Sequence, residues 1–486
     1  MITPTYKHWN LGNKIPGPKP LPIVGNGLTF ARKRNILNLL IELYRKYGSV
    51  YRLWLGKQLF VVISNPKDME FFLSRPENLS KSASYKMLEP LFGKTGLIIS
   101  DADIWRVHRK QINPSFHSKL VEKSVPVILE NGQILIEQLK KKIDHPDFDI
   151  RNFVEKCTLD ILSGAKNQLP FLDLLLKKSN FTEEEIEDEV LTIMFAGQDA
   201  PSTTVSFCLY ELSRNQKVQD KLFEELKNSS IHEKSEPTFH DYTKLKYLEM
   251  VIKETLRMYP PATIIGRKVD EDIRLPSGYV LPANSLANLF VFNMQRDEKY
   301  FSNPDQFIPE RFENIENINS FTYLPFSAGI RNCIGRVIVN LKIKSVSTKI
   351  WYIRSKSIVI DDSIKISFIT PTQIEKLTLE FGVVLFTSDP ISLRITSRKI
   401  LYKIPRSTLQ DYIKALSANN EDESLSFNSS SIEDLKKNQV GRKTVLSEKV
   451  KKVLVDLLEI CTKWEFPLKL ADIRKTVRDY LISILR

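Results

Sequence analysis

The stretch from Phe326 to Gly335 reads FSAGIRNCIG, and it sets Cys333 two residues after Arg331 and between Gly329 and Gly335. A thiolate is a soft, strongly donating ligand. As the only protein ligand of a haem iron it pushes electron density that favours O–O cleavage. Such a sulfur must be deprotonated and shielded, with backbone N–H groups pointing at it. Gly329 and Gly335 permit the tight backbone path, Phe326 can pack beside the sulfur, and Arg331 supplies a cation for an acidic group of the cofactor. The commoner fate of a single cysteine is a buried structural thiol. Cys157 and Cys208, in apolar helical settings, are assigned to that fate. Around Cys333 the spacing of Phe, Gly, Arg, Cys and Gly is too specific for it.

The elements that must position this loop follow from patterning. Four prolines between Pro16 and Pro22 make IPGPKPLPIVGN a stiff extended segment. SVYRLWLG and KQLFVVIS alternate apolar residues about Gly56-Lys57, a β-hairpin. Helical spacing dominates from Pro66 to Ser163. Thr182 and Glu185 form a capping box that opens a long helix through VLTIMFAGQDAPSTTVSFCLYEL. A second helix, KLKYLEMVIKETLRMYPP, ends at a double proline. Short strands follow, then the cysteine loop, then LKIKSVSTKI and a strand pair around LTLEFGVVLFTSDPISLRI.

With 486 residues, 42% of them apolar, the chain can bury a large core. Its four cysteines (Cys461 is the last) lie far apart, which argues against a disulfide scaffold and for a reducing compartment or thiols used singly. A formal charge of +13 favours acidic partners: a membrane surface, an acidic redox protein or nucleic acid. No stretch is apolar enough for a membrane span, and MITPTYKHWNLGNK has no signal core, so the sequence reads as soluble or peripheral.

FSAGIRNCIG resembles the haem-binding loop of the cytochromes P-450, the haem-thiolate monooxygenases. Other landmarks fall in family order. ETLR (Glu254 to Arg257) resembles the family's E-x-x-R, and PERF (Pro309 to Phe312) supplies Arg311 to complete that buried network. WRVHR puts Trp105 and Arg109 on one helical face, as in the helix that holds a haem propionate. Arg267, in PPATIIGR, matches a further propionate-binding arginine. The wording of FLDLLL and GLIISDADIWRVHRKQINPSF is most similar to the fourth family of these enzymes, often hydroxylases of fatty acids or other lipids.

The resemblance implies a mainly α fold with a small β portion, with Cys333 as the axial metal ligand of haem b. Trp105, Arg109, Arg267 and Arg331 would contact propionates, and Phe326 would pack at the sulfur. The activity implied is insertion of one oxygen atom from O2 into a small, apolar, lipid-like or xenobiotic substrate. Electrons would come from NADPH through an NADPH–cytochrome reductase, at the cytosolic face of the endoplasmic reticulum membrane.

Three departures qualify this. CTLDILSGAKNQLPFLDLLL joins segments that the family separates by roughly a hundred residues. Those residues form the helices over the substrate pocket, so a splice or gene-model deletion near 163–170 is expected. In AGQDAPSTT, Asp199 is the candidate proton-relay acid, but Ala200 replaces the usual hydroxyl, leaving Ser202 or Thr203 as substitutes if Pro201 bends the helix. A solvated or capping carboxylate is the plainer reading of Asp199. Ala196 stands where many relatives carry a haem-esterifying glutamate, so no covalent link is expected. After Gly335, RVIVNLKIKSV replaces small and acidic residues, so the helix behind the thiolate is expected to start differently.

The expected organisation is an N-terminal remnant without an anchor (1–13), a haem domain (14–400), a partial helix-turn-helix (401–416), a polar linker (417–440) and a helical tail (441–486). YKIPRSTLQDYIK resembles the recognition-helix half of a pipsqueak-type helix-turn-helix of pogo-like transposases, with Arg406, Ser407 and Thr408 at a helix N-terminus. A solvated basic helix is the plainer alternative there. Two other functions stay open: an impaired haem-binding relic, and a DNA-binding protein acting through the tail.

Overall fold

The structure is a computed structural model. It describes residues 6–32, 36–117, 121–142, 150–163, 180–229, 231, 234, 237–314, 316 and 318–356. The chain divides after Thr387, and every described residue belongs to the first unit. The junction 164–170, the strand pair expected after Lys356, and segments 401–416, 417–440 and 441–486 lie outside the described residues.

The helices that carry the site are α1 (Tyr6–Asn13), α2 (Ala102–Ile112), α3 (Val125–Lys140), α4 (Ile150–Ser163), α5 (Glu183–Arg214), α6 (Lys246–Met258) and α7 (Arg336–Lys356). The strands are β1 (Val50–Leu55), β2 (Gln58–Ile63), β3 (Ile265–Lys268), β4 (Ile273–Arg274), β5 (Val280–Leu281) and β6 (Leu286–Leu289). The expected class, mainly α with a small β portion, is what the fold shows.

β1 and β2 form the expected hairpin, with Leu55 opposite Gln58 and Gly56 at φ +57° in the turn. β2 then pairs parallel to β6, and β6 antiparallel to β3, so the sheet runs β1-β2-β6-β3. The proline-rich segment lies along the outer edge: Arg52 donates its backbone N–H to Pro16 O at 2.7 Å and its guanidinium to Pro18 O at 2.8 Å. α1 docks on the same sheet through Trp9, stacked 4.1 Å from Trp54, and an ion pair from Lys7 to Asp272 at 2.7 Å.

α5 begins where Thr182 predicts. Its hydroxyl accepts the Glu185 N–H, the Glu185 carboxylate accepts the Thr182 N–H, and Glu183 to Glu185 place negative charge at the helix's positive end. α4 lies so close to α5 that a Cβ on Gly197 would come within 2.8 Å of Leu162. Side chains of α3, α4, α5, α6 and α7 share one apolar core, which includes Cys157 and Cys208. Burial pushes both thiols up to about 12, as inert structural cysteines require.

After Gly335, α7 starts directly at Arg336, and Val339 N–H bonds to Gly335 O at 2.9 Å. The consequence of that sequence appears further along, where Lys342 and Lys344 are carried into the core.

Candidate functional site

The scaffold beneath the site is a buried ion network. On α6, Glu254 and Arg257 are one helical turn apart and both fully buried. Arg257 meets Glu254 twice, from Nε at 2.7 Å and from a terminal nitrogen at 2.9 Å. Its remaining donors reach the carbonyls of Gln295 and Pro304, at 2.9 and 2.7 Å. Arg311 completes the set with Nε 3.1 Å from Glu254. Every charge has a partner, so the fork geometry fixes α6 against residues 295–311 rather than leaving a bare buried ion.

The cysteine loop leads from this scaffold into α7. Cys333 N–H donates to Phe326 O at 2.9 Å and closes the loop on itself. Gly329 is required on two counts: φ is +72°, and a Cβ there would lie 1.7 Å from the Leu73 carbonyl oxygen. Gly335 differs from the expectation, since no atom comes nearer than 3.7 Å to a Cβ built on it. Its backbone path does not demand glycine, and its contribution is its amide. The side chain of Cys333 is exposed, yet protein encloses it closely enough that burial is the largest influence on its thiol. That is the environment of a sulfur opening into a cleft. Burial raises the thiol, while the Gly335 N–H, Arg109 and Arg336 all favour the thiolate. Phe326, half-buried, packs on the core that supports α7.

From this loop to β3 the structure gathers cations with few matching anions among the described residues. Arg331 is buried, and its terminal nitrogens donate to the carbonyls of Leu79 at 2.6 Å, Ser100 at 2.5 Å and Leu97 at 3.4 Å. Its Nε is buried with no partner among the described residues. Arg267, on β3 and only 2% exposed, bonds just the carbonyl of Gly266 and meets no carboxylate among the described residues. Trp105 is buried on α2, with Arg331 centred 5.2 Å and Arg109 5.9 Å from its ring. Arg109 in turn bonds the carbonyl and side chain of Asn332, next to the cysteine, at 2.7 and 3.0 Å.

Burial first, then Arg267, pushes the Arg331 guanidinium down to about 9; of nearby carboxylates, only Asp101 opposes this. Lys81, which no motif marks, joins them. The backbone of Lys81 bridges that of Arg267, and its ammonium sits 4.1 Å over the Tyr85 ring. Burial, then Arg267 and Arg331, lower it well below the ordinary lysine range. Lys81 was illegible in the sequence because only the folded sheet brings it to Arg267.

Mutually repelling, desolvated cations are costly unless an anion arrives. The donor set fits a group with two carboxylates and a metal that takes a thiolate, which is the description of haem. The fit is therefore good. The expected residues Trp105, Arg109, Arg267, Phe326, Arg331 and Cys333 fall in this one region, through α2, β3 and the loop before α7.

Asp199 stands in other company. On α5 its carboxylate is ion-paired to Arg151 of α4 at 3.1 Å. Of the substitute hydroxyls, Ser202 donates back to the Asp199 carbonyl at 2.9 Å, whereas Thr203 Oγ1 is buried with no partner among the described residues.

Comparison with known proteins gives two kinds of match. The Cytochrome P-450 family profile matches in two stretches, residues 15–165 and 162–350. Among curated relatives, Cytochrome P-450 4d2 of Drosophila melanogaster is 30% identical over 442 residues, covering 70% of this chain and 88% of that protein. Cytochrome P-450 4d8 of the same organism is 30% identical over 410 residues (64% of this chain and 88% of that protein). Cytochrome P-450 4c21 of Blattella germanica is 27% identical over 430 residues, 68% and 85%.

Proposed function

Since the chain belongs to the cytochrome P-450 family, as a monooxygenase most similar to family 4, we propose that Cys333 is the axial thiolate of a haem b. We further propose that Trp105, Arg109, Arg267, Arg331 and the newly found Lys81 hold its propionates. The observation that carries this assignment is the cluster of desolvated cations, opposed among the described residues by Asp101 alone, in the region of the exposed Cys333. Family membership brings with it a haem iron and a redox partner that supplies electrons. In the finer reading, electrons pass from NADPH through a reductase whose acidic face meets this basic chain. The substrate is lipid-like, as the resemblance to family 4 implies.

The bound haem would supply the activation of dioxygen that inserts one oxygen atom into the substrate and releases the other as water. The chain's own residues prepare it. The Gly335 N–H, Arg109 and Arg336 favour the Cys333 thiolate, so ligation displaces a proton from a thiol that burial alone would keep neutral. Phe326 supports the sulfur from the core side. Asp199 is proposed as the proton relay, which requires its Arg151 contact to open, with the free Thr203 hydroxyl standing in for the one lost at Ala200.

The alignment also supports an internal gap. The match to 4d2 extends over 442 positions but occupies only 70% of 486 residues, and the two profile matches meet near 162–165. Roughly a hundred positions of the relative thus lack a counterpart, which favours a deletion between α4 and α5. Among the described residues no helix is long and apolar enough to cross a membrane. Association with the cytosolic face of the endoplasmic reticulum and nucleic-acid binding by the tail remain part of the proposal through sequence resemblance alone.

The test is a haem titration of the purified chain and its Cys333→Ser variant, followed by the reduced carbon monoxide difference spectrum. The wild type should give the red-shifted Soret band of thiolate ligation, and the variant should lose it. A variant that keeps the same band removes Cys333 as the ligand. Absence of the band in the wild type favours the impaired relic.

A further inference from the structure

The face of α2 that carries Trp105 and Arg109 is tied to the rest of the protein by a pair of residues that touches neither sulfur nor cations. His108 is 2% exposed, with Nδ1 2.8 Å from Glu189 Oε1 and Nε2 3.4 Å from Glu185 Oε1, both on α5. Phe181 covers the imidazole at 4.2 Å. Glu189 is fully buried, and its other oxygen accepts the Leu97 N–H at 3.2 Å.

The neighbouring Asp188 accepts the N–H groups of Lys94 and Thr95 at 2.9 Å each and the Thr95 hydroxyl at 2.7 Å. Segment 93–97 is thus laid onto two adjacent carboxylates of α5. The same segment supplies Leu97 O, and Ser100 O lies just beyond it, both accepting from Arg331. Glu189 is therefore one hydrogen bond from α2 and one residue's backbone from the arginine beside Cys333.

We propose that His108 and Glu189 are a buried positioning pair for the haem cradle, and that haem retention follows the charge state of this pair. The inference rests on the haem reading given above. It adds that the cradle's geometry is set by an acid–base contact across α2 and α5.

The direction of the pH effect follows from the surroundings. Burial pushes the His108 imidazole down, but Glu189 and then Glu185 outweigh it, and the net shift is upward. Burial pushes the Glu189 carboxyl up more than His108 and Leu97 N–H pull it down, so its net shift is also upward. Among the described residues the other charged groups facing the pair are Glu185 and Asp188, both acidic and both on α5. A folded-state value raised above the unfolded one means that the proton is held more tightly in the fold, so the contribution is present below that value and lost as pH rises through it. This holds for the His108 imidazole, and the same sign holds for the Glu189 carboxyl, so the pair produces an alkaline decline and no acid one.

The experiment is a haem titration read from the Soret band, on the full chain, from about pH 5 to about pH 9. His108→Gln keeps an N–H donor but cannot titrate in this range. It should bind haem about tenfold more weakly near neutral pH, as loss of a contact supporting a ligand site does, and should lack the alkaline decline. Glu189→Gln removes the carboxylate that holds the imidazolium, so its alkaline decline should move to lower pH. A fall in affinity toward acid is common to all forms, since ligation displaces the Cys333 proton. The double variant His108→Gln with Glu189→Gln is a neutral hydrogen-bonded pair that buries no bare charge. It should keep the fold by circular dichroism, recover most of the affinity and lack the alkaline decline. Variants that share the wild-type affinity and its alkaline limb overturn the inference. So does a double variant that retains that limb. Failure of the wild type to take up haem at any pH would instead overturn the haem reading.

Discussion

Arg267 shows what a residue kept for a ligand costs the protein that carries it. Its guanidinium is desolvated on β3, donates among the described residues only to Gly266 O, and is faced by Arg331 and Lys81. In the haem-free chain the charge is a liability, because burial lowers its affinity for its own proton. Arg267→Met keeps much of the volume and removes the charge. The haem-free variant should be more stable than the parent by about 1–3 kcal/mol in denaturant unfolding, while its haem affinity falls about tenfold or more. A variant less stable without haem would mean that packing, not charge, dominates at this position. At this scale the sequence was most informative where neighbours in the chain define the site. Phe326, Arg331 and Cys333 were legible from one decapeptide. Lys81 and the His108–Glu189 contact were not, because each depends on a partner brought from a distant element by folding.

The elements tell a similar story, with α7 as the exception. α5 could be placed from Thr182 and Glu185, and the hairpin from Gly56-Lys57, since caps and turns are local chemistry. Nothing local says that Lys342 and Lys344 of α7 point into the core, because lysines at such positions ordinarily mark a solvated face. Lys344 finds the Tyr242 carbonyl at 3.1 Å and Glu249 at 3.2 Å. Lys342 has no carboxylate among the described residues, and its Nζ lies 3.5 Å from Gly197 O. That carbonyl is the one left unbonded in α5 because Pro201 has no N–H. Burial pushes the Lys342 ammonium down from 10.5 to about 7. Between those values the unfolded chain holds a proton that the folded chain has released. Folding stability should therefore rise with pH from about 7 toward 10.5 on account of this residue. Lys342→Met should be more stable than the parent at neutral pH by a few kcal/mol, with the gap closing as pH approaches 10. Unfolding of both proteins at two pH values checks this. A gap of constant size would show that Lys342 does not titrate in the folded state.

At the scale of the whole molecule the question is whether a well-built cradle is enough. Residues 6–356 supply the sulfur, the cations and the scaffold network, and apart from Lys81 these were visible as motifs in family order. Roughly a hundred of the positions aligned with 4d2 have no counterpart in this chain, proposed above to form one stretch between α4 and α5. Protecting an activated oxygen species depends on excluding water from the reacting centre, and the family resemblance assigns that work to the helices in this stretch. Holding haem and using it productively should therefore separate in this chain. Supplied with NADPH, a reductase and a fatty acid, the protein should consume electrons yet release more than half of them as hydrogen peroxide rather than as hydroxylated product. Grafting the corresponding stretch of 4d2 between Ser163 and Glu183 should shift the balance toward product without altering the thiolate spectrum. If the chain as it stands couples electrons to product as tightly as the grafted one, its own residues close the site, and the proposed gap has no functional consequence.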